Sequence, residues 1–340
     1  RIGTVEGEGP EAFGSVRGIE AGDEGTIYVL DAQARELRAF GPDGGFVGVV
    51  AGPGDGPGEL TQAHGLALGP DGTLWVRDYG RMELVGFDAE GEEVVRHPTL
   101  ERAYGWVWIG GIDGNGVFWR PVSVTPPGQG PPPTSGVMER RAERYVKTWD
   151  PRSGATDSLH LGEATYRSLS IQAGDRGLMG PVPFAPGNLT ERDAEGFVWA
   201  AWSADYRIFR IDPAGDTVLA IDVAEEGPRV TEEDRVGWAS VYQRMGEEVV
   251  NRVRAEVAEH FPERKPVVQQ LVADEGGRIW VRRARPEGER ILYDVFEADG
   301  EHVGSLRIAF DMHLTLPPVI RNGRFHALVS WARTAPYLEE

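Results

Sequence analysis

GLALGPDGTLWVRD, residues 65–78, carries the pattern that decides the fold. An apolar stretch, a glycine-bounded turn and a second apolar stretch follow one another, which is how two strands joined by a tight hairpin read. Its kernel is a glycine, any residue, an apolar residue and then an aromatic residue or histidine. That kernel recurs six times: Gly25–Tyr28 (GTIY), Gly72–Trp75 (GTLW), Gly116–Trp119 (GVFW), Gly196–Trp199 (GFVW), Gly277–Trp280 (GRIW) and Gly323–His326 (GRFH). An acidic residue or Asn usually precedes the glycine, whose tolerance of positive φ suits the turn.

Working outward, each of the first five copies is followed by a further strand and turn: AFGPDG after Arg38, GFDAEG after Val85, TWDPRSG after Lys147, RIDPAG after Phe209 and VFEADG after Asp294. Another alternating strand comes next, as in FVGVV or DTVLAID. Four antiparallel strands per repeat make one blade of a β-propeller. The chain therefore reads as one all-β domain, residues 1–340, with six blades.

The repeat glycines are 47, 44, 80, 81 and 46 residues apart, and the two long intervals read as insertions. These fall at 121–143, 163–187 and 224–266, and all belong to loops on one face; the turns of the other face are minimal. The first insertion contains the stiff run PPGQGPPP. The last predicts a helix over 231–260, capped by Thr231 and Asp234, with Trp238, Val241, Met245, Val249, Val253 and Val257 at helical spacing. That stripe is expected to pack on the propeller; whether the helix covers the channel as a lid is left open. The sixth repeat lacks its outermost strand, and RIGTV (residues 1–5) is expected to supply it and close the ring.

Acidic residues number 54 against 35 basic ones, for a net charge of −19. A field of that sign repels phosphate backbones, so nucleic acid is excluded as a partner. There is no Cys, which rules out disulfides, cysteine-ligated zinc and thiol catalysis. No apolar run approaches the roughly 18 residues of a membrane span. The sequence begins at Arg1, as after removal of a leader or lipid anchor, and an extracytoplasmic site (periplasmic, cell-surface or secreted) is expected.

The repeats resemble those of the NHL-repeat and TolB-like six-bladed propellers. The segments GEGPEAF (Gly7–Phe13) and GDGPGEL (Gly54–Leu60) are similar to the GxGPxxF segment between blades of exported bacterial propellers, often lipoproteins. The resemblance implies the fold over nearly the whole chain. It leaves activity open, because such propellers include lyases, lactonases, esterases and pure binding proteins.

Loops elaborated on one face of a rigid scaffold usually carry function, which points to the channel mouth on the decorated face. The position eight residues before each repeat glycine holds Arg17, His64, Trp108, Asn188, Gln269 and Thr315, and His313 lies two residues ahead of the last. Loops after the second strands add Asp31, Arg35, Asp78, Tyr79, Arg81, Trp202, Asp205, Tyr206 and Arg333. Arg17 with His64 and His313 would suit an anion. The two histidines are also the candidates for a divalent metal, calcium or zinc, although the His set of NHL-type lyases and the acid or amide set of calcium lactonases are both incomplete. The plainer alternative is that these side chains only bond within the channel or to strand ends. Trp75, Trp119, Trp199 and Trp280 share a core register, whereas Trp108, Trp202 and Trp331 fall off it and could line the mouth.

No nucleophile–base pair with characteristic spacing is visible. Binding or interaction with a small polar or anionic ligand, a glycan or a protein is therefore the leading expectation. The alternatives are a metal-assisted hydrolase or lyase at the mouth, and a subunit of a larger surface assembly.

Overall fold

The structure, a computed structural model, describes residues 1–4, 9–98, 108, 110–130, 135–173, 176–240, 247–286, 288–314 and 316–329. The chain is a β-propeller. Its sheets are antiparallel meanders taken in chain order, one per repeat, at residues 16–53, 63–98, 111–181, 188–222 and 268–307. The first is extended by Glu59–Leu60, paired in parallel with residues 52–53. The sixth repeat contributes the hairpin Val319–Arg321 and Arg324–His326, lengthened by a bridge between Met312 and Val329. Pro317 and Pro318 interrupt its inner strand, since proline donates nothing to a ladder.

The inner strands adjoin one another around an axis, and the last repeat meets the first. Gly18 lies against Leu66, and Gly65 against Trp108; a Cβ on either glycine would come within 2.5 Å of its neighbour, so only glycine lets these strands converge. Gly114 N donates to Ala194 O at 3.0 Å, and Val268 N to Ser203 O at 3.2 Å. Asn322 N donates to Glu275 Oε1 at 2.6 Å, and Arg321 pairs with Asp23 at 2.6 Å. The core fills the space between neighbouring blades. Leu30, Leu37, Leu60, Leu74, Val76 and Val85 join the first two, and Trp199, Ile208, Val268, Ile279 and Val281 join the fourth and fifth.

Carboxyl groups lock the turns and links. In the turns after three inner strands, Asp113, Asp193 and Asp274 accept backbone N–H bonds, and the last two also accept the indole N–H of Trp199 (3.2 Å) and Trp280 (3.0 Å). Trp75, Trp119 and Trp199 are buried, as their register requires. Asp31 and Asp78, expected at the mouth, are instead buried at the blade links. Asp31 accepts from the N–H groups of Gly14, Ser15, Gln33 and Ala34; Asp78 accepts from Thr61, Gln62 and Gly80 and from the Thr61 hydroxyl. A carboxyl at the end of a second strand is the acceptor that the incoming link needs for its otherwise unpaired N–H groups.

The insertions are more regular than expected. Residues 121–143 belong largely to the long strands Phe118–Val124 and Gly136–Trp149, and 163–187 to Thr156–Ala173 and Arg176–Pro181. The third blade thus extends as a 14-residue strand paired with an 18-residue one. The expected helix divides into α1 (Glu232–Ser240) and α2 (Glu247–Val257). Thr231 Oγ1 caps the Asp234 N–H at 3.2 Å, and Asp234 returns the bond to Thr231 N at 2.9 Å. Trp238, Val257 and Phe261 pack with Leu169, Ile171 and Val182, so the helices lean on the long hairpin of the third blade. Val241 and Met245 lie outside the described residues.

The first residues sit where the first blade and the sixth repeat meet. Ile2 packs with Val16, Phe40, Leu316 and Leu328, and Thr4 N donates to Glu11 O at 3.0 Å. Thr4 forms a parallel bridge there with Ala12. Val5 and residues 330–340, where the closing strand would find its partner, lie outside the described residues.

Candidate functional site

One cavity of about 340 Å³ is lined by inner-strand residues of all six repeats. Arg17 and Trp108 are among the lining residues. The other candidates among the described residues lie elsewhere. His64 stacks on Tyr79 (ring centroids 5.9 Å apart), and Trp202 meets Tyr166 edge-on at 6.0 Å. Asn188 Oδ1 accepts from Arg144, and Gln269 Nε2 donates to Pro266 O at 2.7 Å. His313 lies under the influence of Arg17; burial and then that neighbouring cation lower its pKa, so the ring favours the neutral form. Arg333, Thr315 and Trp331 lie outside the described residues. The side chains of Asn188 and Gln269 thus bond within the protein.

Pro70, Gly114, Ala194 and Glu275, at the short turns, also line it, as does Arg321.

Two lining residues were missed. Glu20 and Glu191 stand five residues before their repeat glycines, where the other repeats have Ala67, Gly111, Val272 and Pro318. An acid in an otherwise uncharged register was the available signal. They come from the first and fourth repeats and line the same cavity. Burial pushes Glu20 up to about 8, against smaller lowering effects of Arg321 and of the Leu68 and Ala21 N–H groups. Burial likewise pushes Glu191 up to about 8, offset in part by the Arg192 N–H and reinforced by Asp193. Near neutral pH both carboxyls hold their protons.

A second hollow, about 760 Å³, lies on the decorated face between the fourth blade and the 224–266 insertion. Several of its charges are paired within the protein: Arg207 with Asp222, Arg264 with Glu226, Lys265 with Asp234 and Glu225 with Arg283; Asp205 also lines it. Among the described residues, no three His, Asp or Glu side chains are grouped to hold a metal ion. Also among them, no helix is long and apolar enough to cross a membrane.

Fold and cavity together define a β-propeller with a ligand-sized channel. No family model and no curated protein sequence matches the chain. Among solved structures, virginiamycin B lyase from Staphylococcus aureus is similar over 92% of this chain and 78% of its own, with 12% identity and a TM-score of 0.42. A gluconolactonase from Xanthomonas campestris is similar over 91% of this chain and 80% of its own, with 13% identity and a TM-score of 0.43. A protein of Bacteroides fragilis described as exported is similar over 88% of this chain and 73% of its own, with 11% identity and a TM-score of 0.46. Likenesses at this level say nothing of activity, and the propeller rests on the sheets themselves.

Proposed function

We propose that the protein is an extracytoplasmic six-bladed propeller of the NHL or TolB type, closed between its two ends, that binds a small polar ligand in its central channel. The observation that carries the binding reading is the cavity of about 340 Å³, within the usual size of small-molecule sites. Its wall combines Trp108 and Trp119 with Arg17, Glu20 and Glu191, an apolar surface bearing a few placed polar groups. The hydrolase or lyase alternative calls for a further ligand beside His64 and His313 and has no such support among the described residues. An assembly subunit would use exposed apolar residues such as Phe46, Val47 and Val49 on the outer strand of the first blade.

The test is a calorimetric and thermal-shift screen of sugars, carboxylates, amines and amino acids against the protein and against Arg17→Gln and Glu20→Gln. Binding that either substitution weakens at least tenfold supports the channel. Binding indifferent to both, or no binding by any of these classes, removes it.

A further inference from the structure

The channel wall bears the Arg17 cation at one level and two carboxyl groups, Glu20 and Glu191, at another. Arg17 and Glu20 share the strand Val16–Ala21, three residues apart, which is about 10 Å at the usual strand rise. Both line the cavity, as does Glu191 from the fourth repeat. At the other end, Arg17 is close enough to His313 to act on it electrostatically.

Other charged groups around the cavity have partners within the protein. Arg192 Nε bonds to Asp113 at 3.0 Å, and Arg321, the cation that acts on Glu20, pairs with Asp23 at 2.6 Å. Asp193 is held by Arg210 and the Trp199 indole. Asp274 accepts from Gly276 N, Arg278 N and Trp280 Nε1; Glu275 accepts from Asn322 N. The inner strand of the second blade is apolar at this level, with Leu66, Ala67 and Leu68, and that of the third has Gly110, Gly111 and Ile112. Among the described residues, Glu20 accepts from the Leu68 and Ala21 N–H groups and feels the Arg321 cation, and Glu191 accepts from the Arg192 N–H.

We propose that the channel takes a small linear zwitterion, its anionic group toward Arg17 and its ammonium between Glu20 and Glu191. An ω-amino acid of about six carbons, or a dipeptide, has the length and the two charges. This rests on the channel-binding reading above and names its ligand class. On binding, each carboxyl that contacts the ammonium gives its proton to solvent. Affinity then rises with pH up to about 8, by roughly tenfold per unit for each glutamate that must ionise.

The probes are 6-aminohexanoate, hexanoate and hexylamine, measured by calorimetry in two buffers of different ionisation enthalpy. The expected result is that 6-aminohexanoate binds at least tenfold tighter than either singly charged probe, with proton release. The double variant Glu20→Gln with Glu191→Gln reduces it to the level of hexanoate, and Arg17→Gln reduces it to the level of hexylamine. The same variants are checked for unchanged circular dichroism, and Gln preserves the shape of Glu. Equal affinity for hexanoate and 6-aminohexanoate, an advantage that survives the double variant, or no binding of 6-aminohexanoate overturns the proposal. A sugar or carboxylate that still binds in an Arg17-dependent way would then leave the channel reading standing; failure of the whole screen would remove both.

Discussion

The blade links and the channel wall each contain a pair of enclosed acids, and the protein treats the pairs in opposite ways. At the links, Asp31 and Asp78 each collect four hydrogen bonds from the chain. For Asp78, burial alone would raise the pKa, but the bonds from the Thr61 hydroxyl and the Thr61, Gln62 and Gly80 N–H groups outweigh it and hold the carboxyl below its ordinary value. On the channel wall, burial wins, and Glu20 and Glu191 rise to about 8. A carboxyl fully engaged by backbone donors is part of the scaffold. One enclosed without enough of them is chemically unfinished, which is what a ligand site requires.

The largest expected effect breaks the link side of this contrast. Asp78→Ala strands the N–H groups of Thr61, Gln62 and Gly80 at a buried link. A loss of about 3 kcal/mol is expected, seen as a fall of about 4 °C in Tm for a domain of this length. A fall of less than about 2 °C would show that the link closes without the carboxylate.

Next comes the channel side. A carboxyl whose folded pKa is about 8, above its model value of 4.5, keeps its proton in the folded state after the unfolded chain has lost it. Stability therefore declines as pH rises from about 4.5 to 8 and levels off above. The double variant Glu20→Gln with Glu191→Gln should lack this decline, with a Tm higher by several degrees at pH 9 and little changed at pH 4. Parallel Tm–pH curves for the two proteins would contradict the assignment.

The acid limb sharpens the contrast with a smaller effect. Because the folded pKa of Asp78 is lowered, its contribution is present above the unfolded value, near 3.8, and is lost as pH falls through the folded one. Asp78→Asn should flatten the stability curve in that acid range while Glu20→Gln leaves it alone, which acid titration followed by fluorescence would show. Smallest of all is Arg207→Ala at the exposed pair with Asp222, where Tm should not move beyond error. A measurable drop there would mean that the larger hollow depends on its ion pairs.

Much of this architecture is legible in the sequence. The glycine kernel marks every hairpin between first and second strands, because a tight turn needs positive φ and the strand behind it must be apolar; Gly25, Gly72, Gly116, Gly196, Gly277 and Gly323 all have φ between 67° and 90°. The Thr231–Asp234 cap is equally local, since both partners lie within one turn. The site was harder to see. His64 and Asn188 share a register with Arg17, yet His64 stacks on Tyr79 and Asn188 bonds to Arg144. Asp78 and Glu20 are both acids on strands. Only the surroundings, a link rich in N–H donors or a wall poor in them, separate a staple from a ligand group.

The sequence by itself determined the repeat, the strand order and the turn chemistry, because these depend on residues a few positions apart. Tertiary structure alone decided which side chains share the channel, since Glu20 and Glu191 are brought to one cavity by the closing of the ring across 171 residues of chain. It also decided that the helical insertion leans on the long hairpin of the third blade, because an amphipathic stripe specifies that a face must be buried but not which neighbour buries it.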